Sequence, residues 1–133
     1  MSSIFNRILS GEIPSAKLYE DEHFFAFLDI RPIREGHALL ITKQEIDYIF
    51  DLPEDLLGRL LTTAKPIAKA IEQHITCKKV GLMVAGLEVP HCHLHMVPID
   101  AVGDLNFGNA SAADPADLQV LAAKIRSTLE TSL

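Results

Sequence analysis

The chain lacks a cysteine pair of recognisable spacing, an excess of positive charge and any long apolar run, and each absence excludes a class of function. Its two cysteines, Cys77 and Cys92, form neither a zinc-type nor a redox pair and read as free thiols of a reducing compartment. Lys and Arg number 12 against 18 Asp and Glu, a formal net charge of -6. A binder of nucleic-acid backbones needs a basic face, so no nucleic-acid partner is expected. A small phosphorylated ligand stays compatible, because imidazoles and backbone donors attract it locally against a mildly acidic background. Met1 to Arg7 holds no cationic stretch leading into an apolar run. Neither a secretory signal nor a membrane partner is therefore expected, and the expected location is cytoplasmic.

What is present suits one compact enzyme domain over residues 1–133, with 48% hydrophobic and 23% charged residues and no internal repeats. Ser3 ahead of Ile4, Phe5, Ile8 and Leu9 predicts a short capped helix closed by Gly11 and Pro14. Extended segments follow at about 17–20, 23–28 and 37–42, the first two joined by a tight turn at Asp21 and Glu22. Leu56, Leu57, Leu60, Leu61, Ala64, Ile67, Ala68 and Ile71 recur at helical spacing and mark the main helix. Pro53 suits its first turn, and Pro66 should remove one backbone bond and kink it. Segments 79–85 and 92–99 read as strands, and Asp114-Pro115 starts a C-terminal helix. The fold class is α+β, an antiparallel sheet of about five strands with one long helix and a C-terminal helix, the helices on one side.

The most informative feature is the run Val89 to Pro98, which places His91, His93 and His95 at alternate positions. In a strand these three project to one face while Cys92, Leu94 and Met96 project to the other. Three readings compete: a satisfied polar strand face, a metal site on alternate imidazoles, and a nucleophilic site in which one imidazole attacks while its neighbours orient it and hold an oxyanion. Spacing alone does not separate the last two.

The pattern His-x-His-x-His-x-x with apolar x follows, in order, Ile4 to Leu9, Gly11 to Pro14, Phe25 to Ile30 and Gly36 to Ile41. Taken together, residues 3 to 98 resemble the histidine triad family of nucleotide hydrolases and transferases, in its short bacterial-type form. The resemblance implies that His93 takes the nucleotidyl group from a purine nucleoside 5'-phosphate derivative and that water then frees the monophosphate. It places His91 and His95 against the phosphate and His37 behind His91. It also implies an apolar slot for the base from Phe5, Ile8, Phe27 and Ile30, a ribose-holding acid at Asp29, and pairing as a homodimer. No cofactor and no catalytic metal are called for.

The chain departs from that family in three places. Ser3 to Asn6 contains no cysteine, so the structural zinc of one branch is not expected. The stretch Val84 to Pro90 runs almost directly into the triad, shortening the loop that grips phosphates. Leu87 and Glu88 replace a common glutamine and a serine or threonine. Glu88 beside the leaving group could serve as a general acid or favour cationic leaving groups. A metal-dependent hydrolase and a nucleotide-binding regulator with little turnover stand as alternatives.

Overall fold

The computed structural model describes residues 3–132. In chain order they form α1 (Ile4–Leu9), β1 (Lys17–Glu20), β2 (Phe24–Leu28), β3 (Ala38–Thr42), α2 (Glu54–His74), β4 (Lys79–Met83), β5 (His93–Ile99) and α3 (Pro115–Ser132). Short 3-10 turns lie at Ile49–Asp51, Val102–Asp104 and Phe107–Asn109. The strands make one sheet in the order β1-β2-β3-β5-β4, every neighbouring pair antiparallel. Local chemistry sets the first turns. Ser3 Oγ accepts the Asn6 N–H and caps α1, satisfying one of the donors that a helix start leaves open. Asp21 Oδ1 accepts the N–H groups of His23 and Phe24, both at 2.8 Å, and folds β1 back onto β2.

β2, β3 and the first six residues of β5 are buried at every position, so side chains on both faces of the central sheet are withdrawn from bulk solvent. Leu18, Phe24, Leu28, Leu40, Leu94 and Met96 pack with Ile67 and Ile71 of α2 and Ile125 of α3 in the larger core. Each such side chain contributes about 1.5–3 kcal/mol by leaving water. The alternate residues Phe25, Phe27, Leu39 and Ile41 form a smaller core with Phe5 of α1. The helices are therefore not all on one side. α1 is too short to cover its face, and the uncovered part is where the site lies.

α2 buries Leu56, Leu60, Ala64, Ile67 and Ile71 of the expected stripe, while Leu57 and Ala68 at its margin are only partly buried and Leu61 is exposed. Pro53 is its N-cap, one residue before the expected first-turn position, and the helix continues through Pro66. The missing N–H at 66 leaves the Thr62 carbonyl without its helical partner, and Thr62 is exposed, where water can take its place. The strands expected to extend to Ala85 and from Cys92 run instead to Met83 and from His93.

Candidate active site

β5 aims two of its histidines with neighbouring rows of the smaller core. His93 stands opposite Ile41 and His95 opposite Leu39 on β3. Phe5 packs edge-on against His93 at 4.9 Å between ring centres, against His91 at 5.7 Å and against Phe27 at 5.8 Å. One aromatic of α1 thus ties the helix to the histidine row. His93 and His95 keep 7% and 6% exposure, whereas His91 has none. The resemblance sets His91 against the phosphate; here it is fully buried and is not among the residues lining the cavity described below.

Backbone groups fix the protons of three rings, and His37 fixes that of the fourth, His95. Ile33 N–H donates to His37 Nδ1 at 3.0 Å, so the neutral His37 ring carries its proton on Nε2. His37 Nε2 lies 2.9 Å from His95 Nδ1, which must then accept, leaving the His95 proton on Nε2. His91 Nε2 faces the Thr42 carbonyl at 2.6 Å, and its Nδ1 accepts the Ser3 hydroxyl at 2.9 Å. His93 Nδ1 faces the His91 carbonyl at 2.7 Å; it holds the proton, and His93 Nε2 keeps a free lone pair. A nucleophilic nitrogen and an N–H donor thus stand on alternate residues of one strand face.

Electrostatics keep the supporting rings neutral. Burial pushes His37 down from its ordinary value against the opposing pull of the Asp29 carboxylate. His91 is also lowered, first by burial, with the Thr42 carbonyl and Glu45 opposing. His95 is pushed down to about 3 by burial and then by its neighbours His37 and His93.

His37 supports His95, not His91 as the resemblance implied. Leu39 pairs with His95 and Ile41 with His93, so residue 37 falls at the His95 end of the row. Gly36 makes this placement possible. Its φ is +93°, and a Cβ there would come within 2.8 Å of Ile75. The partner of His91 is Ser3, held in turn by Glu45 Oε1, which accepts the Ser3 N–H at 2.7 Å.

His93 and His95 open into a cavity of about 590 Å³ whose wall also contains Phe5, Ile8, Phe27, Asp29, Ile30 and Glu88. The six residues expected to hold a nucleotide therefore meet in one place, mostly around an apolar lining that suits an aromatic base. Ile30 is 65% exposed, an apolar surface that a ligand could cover. Asp29 Oδ1 accepts the Arg31 N–H at 2.9 Å, and its Oδ2 lies 3.6 Å from His37 Nε2. Glu88 sits exposed at the rim.

Phe107 was not singled out in the sequence. It lies in the connection between β5 and α3, where it lines the cavity and meets the His95 ring edge-on at 5.0 Å. Its one local signal was an isolated aromatic among small and polar residues.

Asp29, His37 and His95 each place one possible ligand atom within 4.8 Å of the others. The rings do not fit a cation. With its Nδ1 lone pair engaged by Ile33 N–H, His37 could offer Nε2 only by giving up the proton that binds His95. Among the described cysteines, Cys92 is buried with its thiol raised to about 11, first by burial, a poor setting for a thiolate ligand.

A protein-family model described as the HIT domain matches residues 10–102. The protein hit of Bacillus subtilis is 36% identical over 141 residues, covering 97% of this chain and 95% of its own. An adenosine 5'-monophosphoramidase of Saccharomyces cerevisiae is 40% identical over 97 residues, covering 71% of this chain and 61% of its own. Among solved structures, a zinc-bound histidine triad family protein from Mycobacterium smegmatis aligns with a TM-score of 0.83 at 30% identity, covering 99% of this chain and 96% of that one. A HIT family protein from Bacillus subtilis aligns with a TM-score of 0.72 at 32% identity, covering 96% of each chain.

Proposed function

The chain belongs to the HIT domain family, and from that premise we propose that it is a nucleoside phosphoramidase acting at the α-phosphorus of purine nucleoside 5'-phosphate derivatives. The observation that carries this reading is the free Nε2 of His93, left so because the proton stays on Nδ1, which donates a hydrogen bond to the His91 carbonyl. That nitrogen attacks phosphorus, the Nε2–P bond forms and the bond from phosphorus to the leaving group breaks, the leaving amine taking a proton from solvent. The His91 carbonyl at 2.7 Å stabilises the imidazolium that results. Water then attacks the same phosphorus and loses a proton to solvent, the Nε2–P bond breaks with its electron pair returning to His93 Nε2, and the monophosphate leaves. His95 donates its Nε2 proton as a hydrogen bond to a phosphoryl oxygen throughout, held in that tautomer by His37.

Phe5, Ile8, Phe27 and Ile30 form the base slot, and Asp29 accepts the vicinal ribose hydroxyls. The relative named a phosphoramidase supports the leaving-group class. The chain acts as one domain over residues 1–133, in the cytoplasm, as a homodimer. Exposed apolar side chains support the last point: Leu82 on β4 and Val84 just beyond it, at the sheet edge, and Leu61 on α2. No described helix is long and apolar enough to cross a membrane.

Release of AMP from adenosine 5'-phosphoramidate by the metal-free protein, beside His93→Ala prepared identically, decides the matter. The reading requires turnover by the wild type and a loss of several orders of magnitude in a folded variant. Tight AMP binding without turnover by either protein would favour a nucleotide-binding regulator instead.

A further inference from the structure

The connection between β5 and α3 carries a half-exposed phenylalanine whose ring is 48% exposed yet contributes to the wall of the site. An apolar ring left half in solvent contributes little to folding, so its placement calls for another reason. The backbone on either side of it is pinned. Before it, Asp104 Oδ2 accepts the N–H groups of Asp100 and Ala101 at 2.7 and 3.0 Å, and Arg34 pairs with both aspartates. Leu105 lies over Gly81 of β4, where an added Cβ would meet it at 3.3 Å. After it, Ala110 N–H closes onto the Phe107 carbonyl at 3.0 Å, and Ser111 and Ala113 donate to the carbonyls of Pro32 and Ile30. Asn106 Oδ1 accepts the Gly108 N–H at 2.8 Å across the turn itself. The loop is thus tied down on both sides of Phe107, whose ring rests against that of His95 at 5.0 Å and 69°.

We propose that Phe107 is a positioning residue, acting through His95: it closes the solvent side of the His37–His95 pair and holds the His95 ring as a water-shielded Nε2–H donor. The inference rests on the role given to His95 under the proposed function. Leu39 of β3 and Met83 of β4 stand opposite His95 in the sheet, both uncharged. The titratable or charged groups around it are His37 at 2.9 Å, with Asp29 3.6 Å beyond, and His93 beside it on β5. Arg31 and Glu88 line the same cavity. Burial is the largest cause holding the His95 ring neutral. Opening its solvent side would let water stabilise a proton on Nδ1, and that proton would displace the hydrogen bond from His37.

Titration of the histidine rings by NMR, in wild type, Phe107→Ala, Phe107→Gln and Phe107→Leu, reads this without any need for turnover. Thermal melts confirm that each variant is folded. In the wild type the His95 signals hold still from about pH 8 down to about pH 4. In Phe107→Ala and in the bulkier but polar Phe107→Gln, protonation begins at least about one pH unit higher than in the wild type, while Phe107→Leu keeps the wild-type curve. An unshifted His95 titration in folded Phe107→Ala and Phe107→Gln overturns the inference. A wild type that releases no AMP refutes the phosphoramidase reading and leaves the ring titration free to judge Phe107.

Discussion

The two faces of the central sheet are built from the same strands, one residue out of phase, and they serve different ends. On one face Leu28, Leu40, Leu94 and Met96 are sealed by α2 and α3. On the other, Phe27, Leu39 and His95 form one row and Phe25, Ile41 and His93 the next, with only the short α1 to cover them. Because side chains alternate along a strand, the closed face holds the backbone that aims the open one. Stability and chemistry are therefore separable, and substitutions on adjacent residues should have opposite signatures.

The widest split is expected at His93 and Leu40. His93→Ala should abolish turnover while leaving the melting temperature close to wild type, since its ring lies at the cavity. Leu40→Ala, on the sealed face, should lower unfolding free energy by about 2–5 kcal/mol in chemical denaturation while folded molecules keep their kcat. Comparable losses of activity in both variants at temperatures where both are folded would break the separation.

Acid should act through the histidine side. His37, His91 and His95 each have a folded pKa below the ordinary value of 6.5, so the unfolded chain binds more protons as pH falls below that value. The stability they contribute is complete above it and is lost progressively on acidification, for His95 toward about 3. The slope reaches up to about 1.4 kcal/mol per pH unit for each ring. Denaturation midpoints measured between pH 8 and pH 5 should hold steady and then drop; a flat profile would mean these rings are not held neutral.

The smallest effect is expected at Ser3. Ser3→Ala removes the cap of α1 and the hydroxyl on His91 Nδ1, at a cost of about 1 kcal/mol for the cap alone. Urea titration reads the loss. A stability change with no loss of nucleotide affinity would show that α1 keeps Phe5 in place without its cap.

Legibility in the sequence followed how local each cause is. The alternation from His93 to Met96 and the Ser3 cap lie within a few residues, and both stand in the structure where the pattern put them, whereas His91 and Cys92 precede the strand. That Phe5, Ile8, Phe27, Asp29, Ile30 and Glu88 share one cavity was legible only through a family pattern, because α1, the end of β2 and the loop before β5 meet only after folding. His37 was assigned to the wrong neighbour for the same reason. The register of β3 against β5 decides whether it meets His91 or His95, and no local signal encodes that register. Phe107 was missed because its contact with His95 depends on pins to Gly81, Arg34 and the carbonyls of residues 30 and 32, all distant in sequence. α1 on the second face escaped notice because β2 and β3, buried on both sides, show no polar alternation.

The most direct measurement is the covalent state of His93 during turnover. Wild-type protein mixed with excess adenosine 5'-phosphoramidate and quenched in alkali, where a phosphorus–imidazole bond survives, should yield by mass spectrometry a peptide carrying one nucleotidyl group on His93. Steady turnover with an unmodified His93, or with the adduct on another residue, would contradict the account.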